Sequence, residues 1–308
     1  MKLAVAVALA LAAAASFAIS SALQQGEARK APPNESLSWR LIADLLRRKN
    51  WLAGLGCVVL GFGLQAVALD LAPIALVEPI LATELLFAIP LARHLHHHRR
   101  MGRREWIGAA AVAGGVALFL TISSPKGGNP EPGMLKWSTM CLPVIILAGC
   151  AIAIARGPET PRRATLLAGA AGLIFAVQAL MTQSLVVLWE RGFVHALSSW
   201  QPYALAVVGA VGFTVAQSAY QSGPLSLSLP IIDALEPSGS VILASLTFGQ
   251  ALSLSDEGLG LECLGALVAL IGIVLLGRSP VVLGIYQEEE NLKSDDAPRL
   301  SGRAAYGQ

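Results

Sequence analysis

The sequence predicts an all-α polytopic membrane protein with about nine transmembrane helices arranged as an inverted structural repeat. Three observations carry that expectation. Charged residues are scarce, long charge-free runs recur along the chain, and glycine and proline positions of the first half return in the second.

Of the 308 residues, 55% are apolar or aromatic before the 30 glycines are added, and only 14% are charged. A soluble domain carries about 25% charged residues, so this composition leaves too little polar surface to solvate a globule of such length. The net charge of +2 sets up no field that would favour nucleic acid. Cys57, Cys141, Cys150 and Cys263 fall in apolar stretches with no C-x-x-C pair, which reads as small buried hydrophobes rather than redox or metal chemistry.

A helix needs roughly 20 apolar residues to cross a hydrocarbon core ~30 Å thick. Taken in order, the runs that meet this length are Leu3–Leu23, Trp51–Leu69, Pro73–Ala92, Trp106–Ser123, Trp137–Ala155, Thr165–Leu188, Gln201–Tyr220, Pro224–Phe248 and Leu259–Gly277. Met1–Ser20 also resembles a signal peptide, with Lys2 ahead of an alanine-rich core, but Leu3–Leu23 is long for that role and reads as a retained helix. Trp51, Trp106, Trp137, Trp189 and Trp200 lie at or beside span ends, where an indole favours the headgroup layer. Between the first two spans, residues 36–49 place Leu37, Leu41, Leu45, Trp39, Ile42 and Leu46 opposite Arg40, Asp44, Arg47 and Arg48. This pattern predicts an interfacial helix on the inner leaflet, capped by Asn34 or Ser36. Residues 281–308 lack apolar periodicity and read as a disordered cytoplasmic tail.

Assigning alternate loops to one side gathers 18 of the 22 Lys and Arg there and leaves only Lys2, Lys126, Lys136 and Arg191 on the other. The positive-inside rule then places the N-terminus outside and the C-terminus in the cytoplasm of an inner or plasma membrane.

Gly61-Phe62 aligns with Gly212-Phe213, Pro73 with Pro224 and Pro79-Ile80 with Pro230-Ile231 at one offset, while Gly108 and Gly115 match Gly265 and Gly272 at a slightly longer one. The chain thus divides into a first repeat over 1–125 and a second over 126–280. By the loop charges the matched spans run in opposite directions, which is the architecture of many secondary transporters.

Three stretches carry a resemblance to a known family: GFGLQAVALDLAPIALVEPI in 61–80, GFTVAQSAYQSGPLSLSLPI in 212–231, and EWIGAAAVAGGVALFL followed by SPK in 124–126. Over roughly residues 1–280 the chain resembles the drug/metabolite transporter superfamily, and within it is similar to the NIPA-type magnesium transporter branch. The resemblance implies a polytopic carrier with a divalent cation, Mg²⁺ first, as its substrate. It supplies no ligand set, so the candidate site rests on the residues themselves.

Four carboxylates fall inside the expected spans: Glu78 and Glu84 in the third, Asp233 and Glu236 in the eighth. An ionised acid at a helix centre costs ~2.5–3.5 kcal/mol on insertion scales, so such residues face a cavity, find a partner or hold a proton. Pro79, Pro230 and Pro237 flank them and are expected to break the helices, freeing carbonyl oxygens beside the acids. Glu78 and Glu84 reach one cavity only if Pro79 kinks the span, which makes Glu84 the stronger candidate. Glu84, Asp233 and Glu236 would suffice for a hydrated Mg²⁺. Two carboxylates this close in a low dielectric cannot both ionise without a cation, so a proton-coupling site is equally open. Gln65 and Gln217 occupy corresponding stretches of the second and seventh spans, displaced by one position, and either line the path or bond neighbouring helices.

His94, His96, His97 and His98 beside Arg99 and Arg100 read as a cationic cytoplasmic loop rather than a zinc site, since no carboxylate or cysteine nearby completes a tetrahedron. No nucleophile elbow, phosphate loop or metalloprotease motif is present, so an enzyme and a bound cofactor are not expected. The partners expected are a small cation or metabolite, the lipid bilayer and, as an option, a second copy of the chain; nucleic acid is not. A proton-coupled exporter of small organic metabolites or drugs is the alternative function, and a non-transporting membrane scaffold the third.

Overall fold

The computed structural model describes residues 2–72, 77, 80–95, 102–122, 132–249 and 256–278. In chain order the helices are α1 (Lys2–Ala28), α2 (Trp39–Leu45), α3 (Lys49–Leu71), α4 (Glu84–Leu95), α5 (Arg103–Ile122), α6 (Met134–Ile154), α7 (Pro161–Glu190), α8 (Phe193–Ser198), α9 (Gln201–Ser222), α10 (Leu225–Phe248) and α11 (Asp256–Gly277). Among the described residues no strand occurs, and eight helices are long and apolar enough to cross a membrane. The chain is a multi-span helical membrane protein. Its outward faces carry Val59, Phe62, Leu142, Leu147, Leu267 and Leu270, all exposed. Lipid solvates such side chains, whereas water would not.

The third expected span, Pro73–Ala92, differs from a single crossing helix. The chain turns at Ala82-Thr83, where the Thr83 hydroxyl donates to the Ile80 carbonyl at 2.6 Å, and a new helix starts at Glu84. That helix, α4, is about 18 Å long and too short to span by itself. Pro73, Glu78 and Pro79 lie outside the described residues, as do His96 to His98 and the tail from 281.

Close packing is built from small residues. Ala6, Ala10, Ala14, Ala18 and Ala22 of α1 are fully buried at helical spacing, which lets α3 and α4 lie close against it. Helix α7 is likewise packed against α9 and α10, and α5 against α11. In that last pair, a Cβ added to Gly272 would meet the Gly108 carbonyl at 2.7 Å, and one at Gly265 the Gly115 carbonyl at 2.8 Å. Gly54 and Gly61 face α1, but Gly56, Gly63 and Gly114 have open space where a Cβ would go, so only one side of each glycine-rich stretch is a packing face. Thr160 caps α7 by accepting from the Arg163 amide at 3.2 Å, and Gly249, at φ +67°, ends α10 in the left-handed conformation that glycine adopts without a Cβ penalty.

Several expectations need correction. The interfacial helix over 36–49 contracts to α2, which begins after Ser38 and not after Asn34 or Ser36, while Lys49 opens α3. Its apolar stripe is split: Leu41 and Leu45 are buried in the protein core, and Trp39 is 74% exposed. Helix α10 runs through both Pro230 and Pro237 without interruption, because packed neighbours keep a membrane helix together where a proline removes a donor. Cys150 and Cys263 are exposed on the lipid side rather than buried. Trp51 and Trp137 point inward instead of toward headgroups, Trp137 standing edge-on to Trp200 and Phe248.

Candidate functional site

Three helices present the same spacing to one cavity of about 170 Å³. Phe17, Ser20, Ser21 and Gln24 come from α1; Phe213, Ala216, Gln217 and Tyr220 from α9; Leu229, Ile232, Asp233 and Glu236 from α10. Each set occupies positions i, i+3 or i+4, and i+7, which is one stripe of a helix. Glu84 completes the ring from the start of α4, and Val58 and Phe175 also line the cavity.

Glu84 gains its position from the turn at Ala82-Thr83. The break places it in the first turn of α4, where free backbone amides and the helix dipole favour a carboxylate. Ser21 of α1 donates to its Oε1 at 2.9 Å. Glu236 lies about 16 Å of helix rise beyond Leu225, and Glu84 about the same distance from Leu95, so both sit well inside a ~30 Å core. The three carboxyl groups are near enough to interact electrostatically with one another, and the Tyr220 hydroxyl with all three.

A chain of amides closes the neighbouring wall. Trp51 Nε1 donates to Gln217 Oε1 at 3.1 Å, Gln217 Nε2 donates to Gln24 Oε1 at 2.6 Å, and Gln24 Nε2 donates to Ser20 Oγ at 2.8 Å. Gln217 therefore lines the cavity and also bonds neighbouring helices. Gln65 is half-buried on α3 and is not among the residues lining the cavity, while Glu78 falls outside the described residues.

Among the described residues, no group of three or more His, Cys, Asp or Glu is placed so that it could hold a metal ion directly. Glu84, Asp233 and Glu236 share a cavity without converging on one coordination point. Such a cavity has room for several waters, which can bridge the acids to a hydrated ion.

Phe17, Ser20, Ser21, Gln24 and Tyr220 were not singled out by the sequence reading. The signal was present in α1, where serines and a glutamine recur at helical spacing inside an otherwise apolar run.

The chain is 26% identical over 272 residues to an uncharacterised protein of Corynebacterium glutamicum, a match that covers 85% of this chain and 94% of the relative. No family model matches the chain. No solved structure matches it.

Proposed function

We propose that the protein is a carrier of the drug/metabolite transporter type, moving a small cation by alternating access through the cavity around Glu84, Asp233 and Glu236. The observation that carries this reading is the meeting of three acids, drawn from α4 and α10, on one cavity. A scaffold has no use for such costly residues facing a space of this size. Magnesium or a related divalent ion, implied by the family resemblance, would travel with part of its hydration shell, held by carboxylates through water.

The proposed architecture is an inverted repeat of 1–125 against 126–280 in the cell membrane, with the N-terminus outside and the C-terminus inside. Its support is the pairing of α1 with α3 and α4, which parallels that of α7 with α9 and α10.

One observation favours a second reading, a proton-coupled exporter of small organic solutes. The Ser21 and Tyr220 hydroxyls stand beside the acids and can pass a proton between them, and no bare-metal cluster is present among the described residues. Proteoliposomes reporting both magnesium entry and lumen pH separate the two. The first reading expects magnesium flux that is lost in Asp233→Asn and Glu236→Gln. Proton movement driven by an organic solute, with no magnesium flux, selects the second. A folded preparation that moves neither magnesium nor protons overturns the carrier reading.

A further inference from the structure

The two halves of the chain are bonded to each other at one end of the cavity. That end carries Arg29, Lys30, Arg40, Arg47 and Arg48. There the segment between α1 and α3 crosses over to the last two turns of α9. Gln221 Nε2 donates to the Ala31 and Pro32 carbonyls at 3.2 and 2.9 Å, and the Leu37 amide donates to Ser218 Oγ at 2.9 Å. Gln25 Nε2 also donates to the Gly223 carbonyl at 3.1 Å, just past the end of α9, and one turn back from Gln221, Gln217 joins Gln24 and Trp51.

The crossing segment is fastened to its own half by charge. Arg48 meets Asp44 at 2.6 Å and Glu27 at 3.5 Å, Lys30 meets Glu27 at 2.7 Å, and Asn50 donates to Glu27 Oε1 at 3.1 Å. The bonds to α9 made by Gln221 and by the Leu37 amide are between neutral groups, which are weaker than charge-assisted ones. The segment is therefore anchored to its own half by ion pairs and meets α9 through neutral bonds at Gln221 and Ser218.

Two signs of stored cost lie in the same seam. Leu37 has φ +59°, the one left-handed non-glycine residue among those described, and its amide is the one given to Ser218. Conformations of this kind persist where the surroundings enforce them and gather at switch regions. In addition, Glu35 Oε2, Ser36 Oγ and Gln221 Oε1 are buried without a hydrogen-bond partner. Parting the seam would relax the first and return the others to water.

We propose that residues 29–48 form a strap closing the basic end of the cavity, and that Gln217, bonded to Gln24 and Trp51 in the two helices that flank the strap, is the positioning residue coupling it to the site. Gln217 has one face on the cavity and its amide in the seam, so a solute that draws Gln24 or Gln217 toward the acids must break their mutual bond. Occupancy thus loosens the tie between α9 and the helix that leads into the strap, leaving the bonds at Gln221 and Ser218 to hold it closed. This inference rests on the carrier reading only for its purpose, since closure can be measured with no substrate present.

The test uses the full chain in vesicles, with Cys57, Cys141, Cys150 and Cys263 changed to Ser and Val58→Cys as a reporter on the cavity wall. Asn34→Cys, exposed on the strap, identifies the basic face in a separate preparation. A membrane-impermeant cationic methanethiosulfonate is applied from each side. Labelling of position 58 from the basic face should be slow with the strap intact and rise about five-fold or more in Gln217→Ala and in Gln221→Ala, each of which removes neutral bonds from the closed state. Gln221 does not line the cavity, so its variant reports on the strap even if Gln217→Ala fails to fold. Equal labelling from the basic face in the parent and in Gln221→Ala overturns the strap. A rise in labelling in a protein that moves no solute overturns the carrier reading alone.

Discussion

At the scale of single residues, the amide pair Gln24 and Gln217 carries the most consequence, because both are buried and each satisfies the other. Removing one partner leaves a buried donor or acceptor without a bond, which costs about 1–3 kcal/mol, whereas replacing both by apolar groups costs far less. Gln24→Leu should therefore lower the unfolding temperature in detergent, and the double change Gln24→Leu with Gln217→Leu should cost less than the sum of the two single ones. Additive losses would mean that the 2.6 Å bond is not formed in solution. The acids were legible from the sequence at this scale, because an ionisable residue in an apolar run is conspicuous whatever it touches. Ser21 and Tyr220 were not, since a hydroxyl in a helix can bond its own backbone and gives no sign of where it points. Trp51 was misread for a related reason: an indole at a span end suits the headgroup layer, and only its contact with Gln217 and Phe213 shows that it turns inward.

Among elements, the α5 and α11 pair shows how closely two helices depend on a missing side chain. A Cβ at Gly115 would strike the Ala269 backbone nitrogen and stand 2.6 Å from the Gly265 carbonyl, while at Gly114 it would meet nothing within 4 Å. Gly115→Ala should destabilise the protein by about 1–3 kcal/mol through overpacking against backbone that cannot yield. Gly114→Ala should be neutral or stabilising by about 0.5–1 kcal/mol, the helix preference of alanine over glycine. Thermal unfolding of the two variants side by side gives opposite signs, and a shared sign would reject the packing. Helix positions were largely readable, because hydropathy and length decide them. Their interruptions were not: prolines in α10 were expected to break it and do not, while the turn before α4 falls at Ala82-Thr83, where no proline stands. Whether a proline breaks a membrane helix is decided by the neighbours that hold the two sides together, and a sequence read along one chain does not include them.

For the whole molecule, parity follows from the proposed topology. Eight described helices can cross, and α4 with the residues ahead of it would supply a ninth passage, which puts the two termini on opposite faces. Protease-sensitive tags at the N- and C-termini should be cleaved from opposite sides of sealed vesicles. Cleavage of both from one side would mean that residues 73–95 enter and leave by the same face. The distribution of Lys and Arg favours nine passages, since the loop holding Arg99 and Arg100 joins the basic side only if the third span crosses. Membrane character was the easiest thing to read, because 14% charge leaves no alternative solvent. The cavity was the hardest, because its shape comes from a stripe on α1 meeting stripes on α9 and α10, which lie far from it in sequence.

Trp51 is shielded from solvent, stands edge-on to Phe213 and gives its N–H to Gln217. The fluorescence of a buried indole depends on what that N–H is bonded to and on the water around it. Position 51 is thus a native optical gauge. With the other five tryptophans replaced, the colour of its emission would follow the opening of the seam in real time, with no label attached.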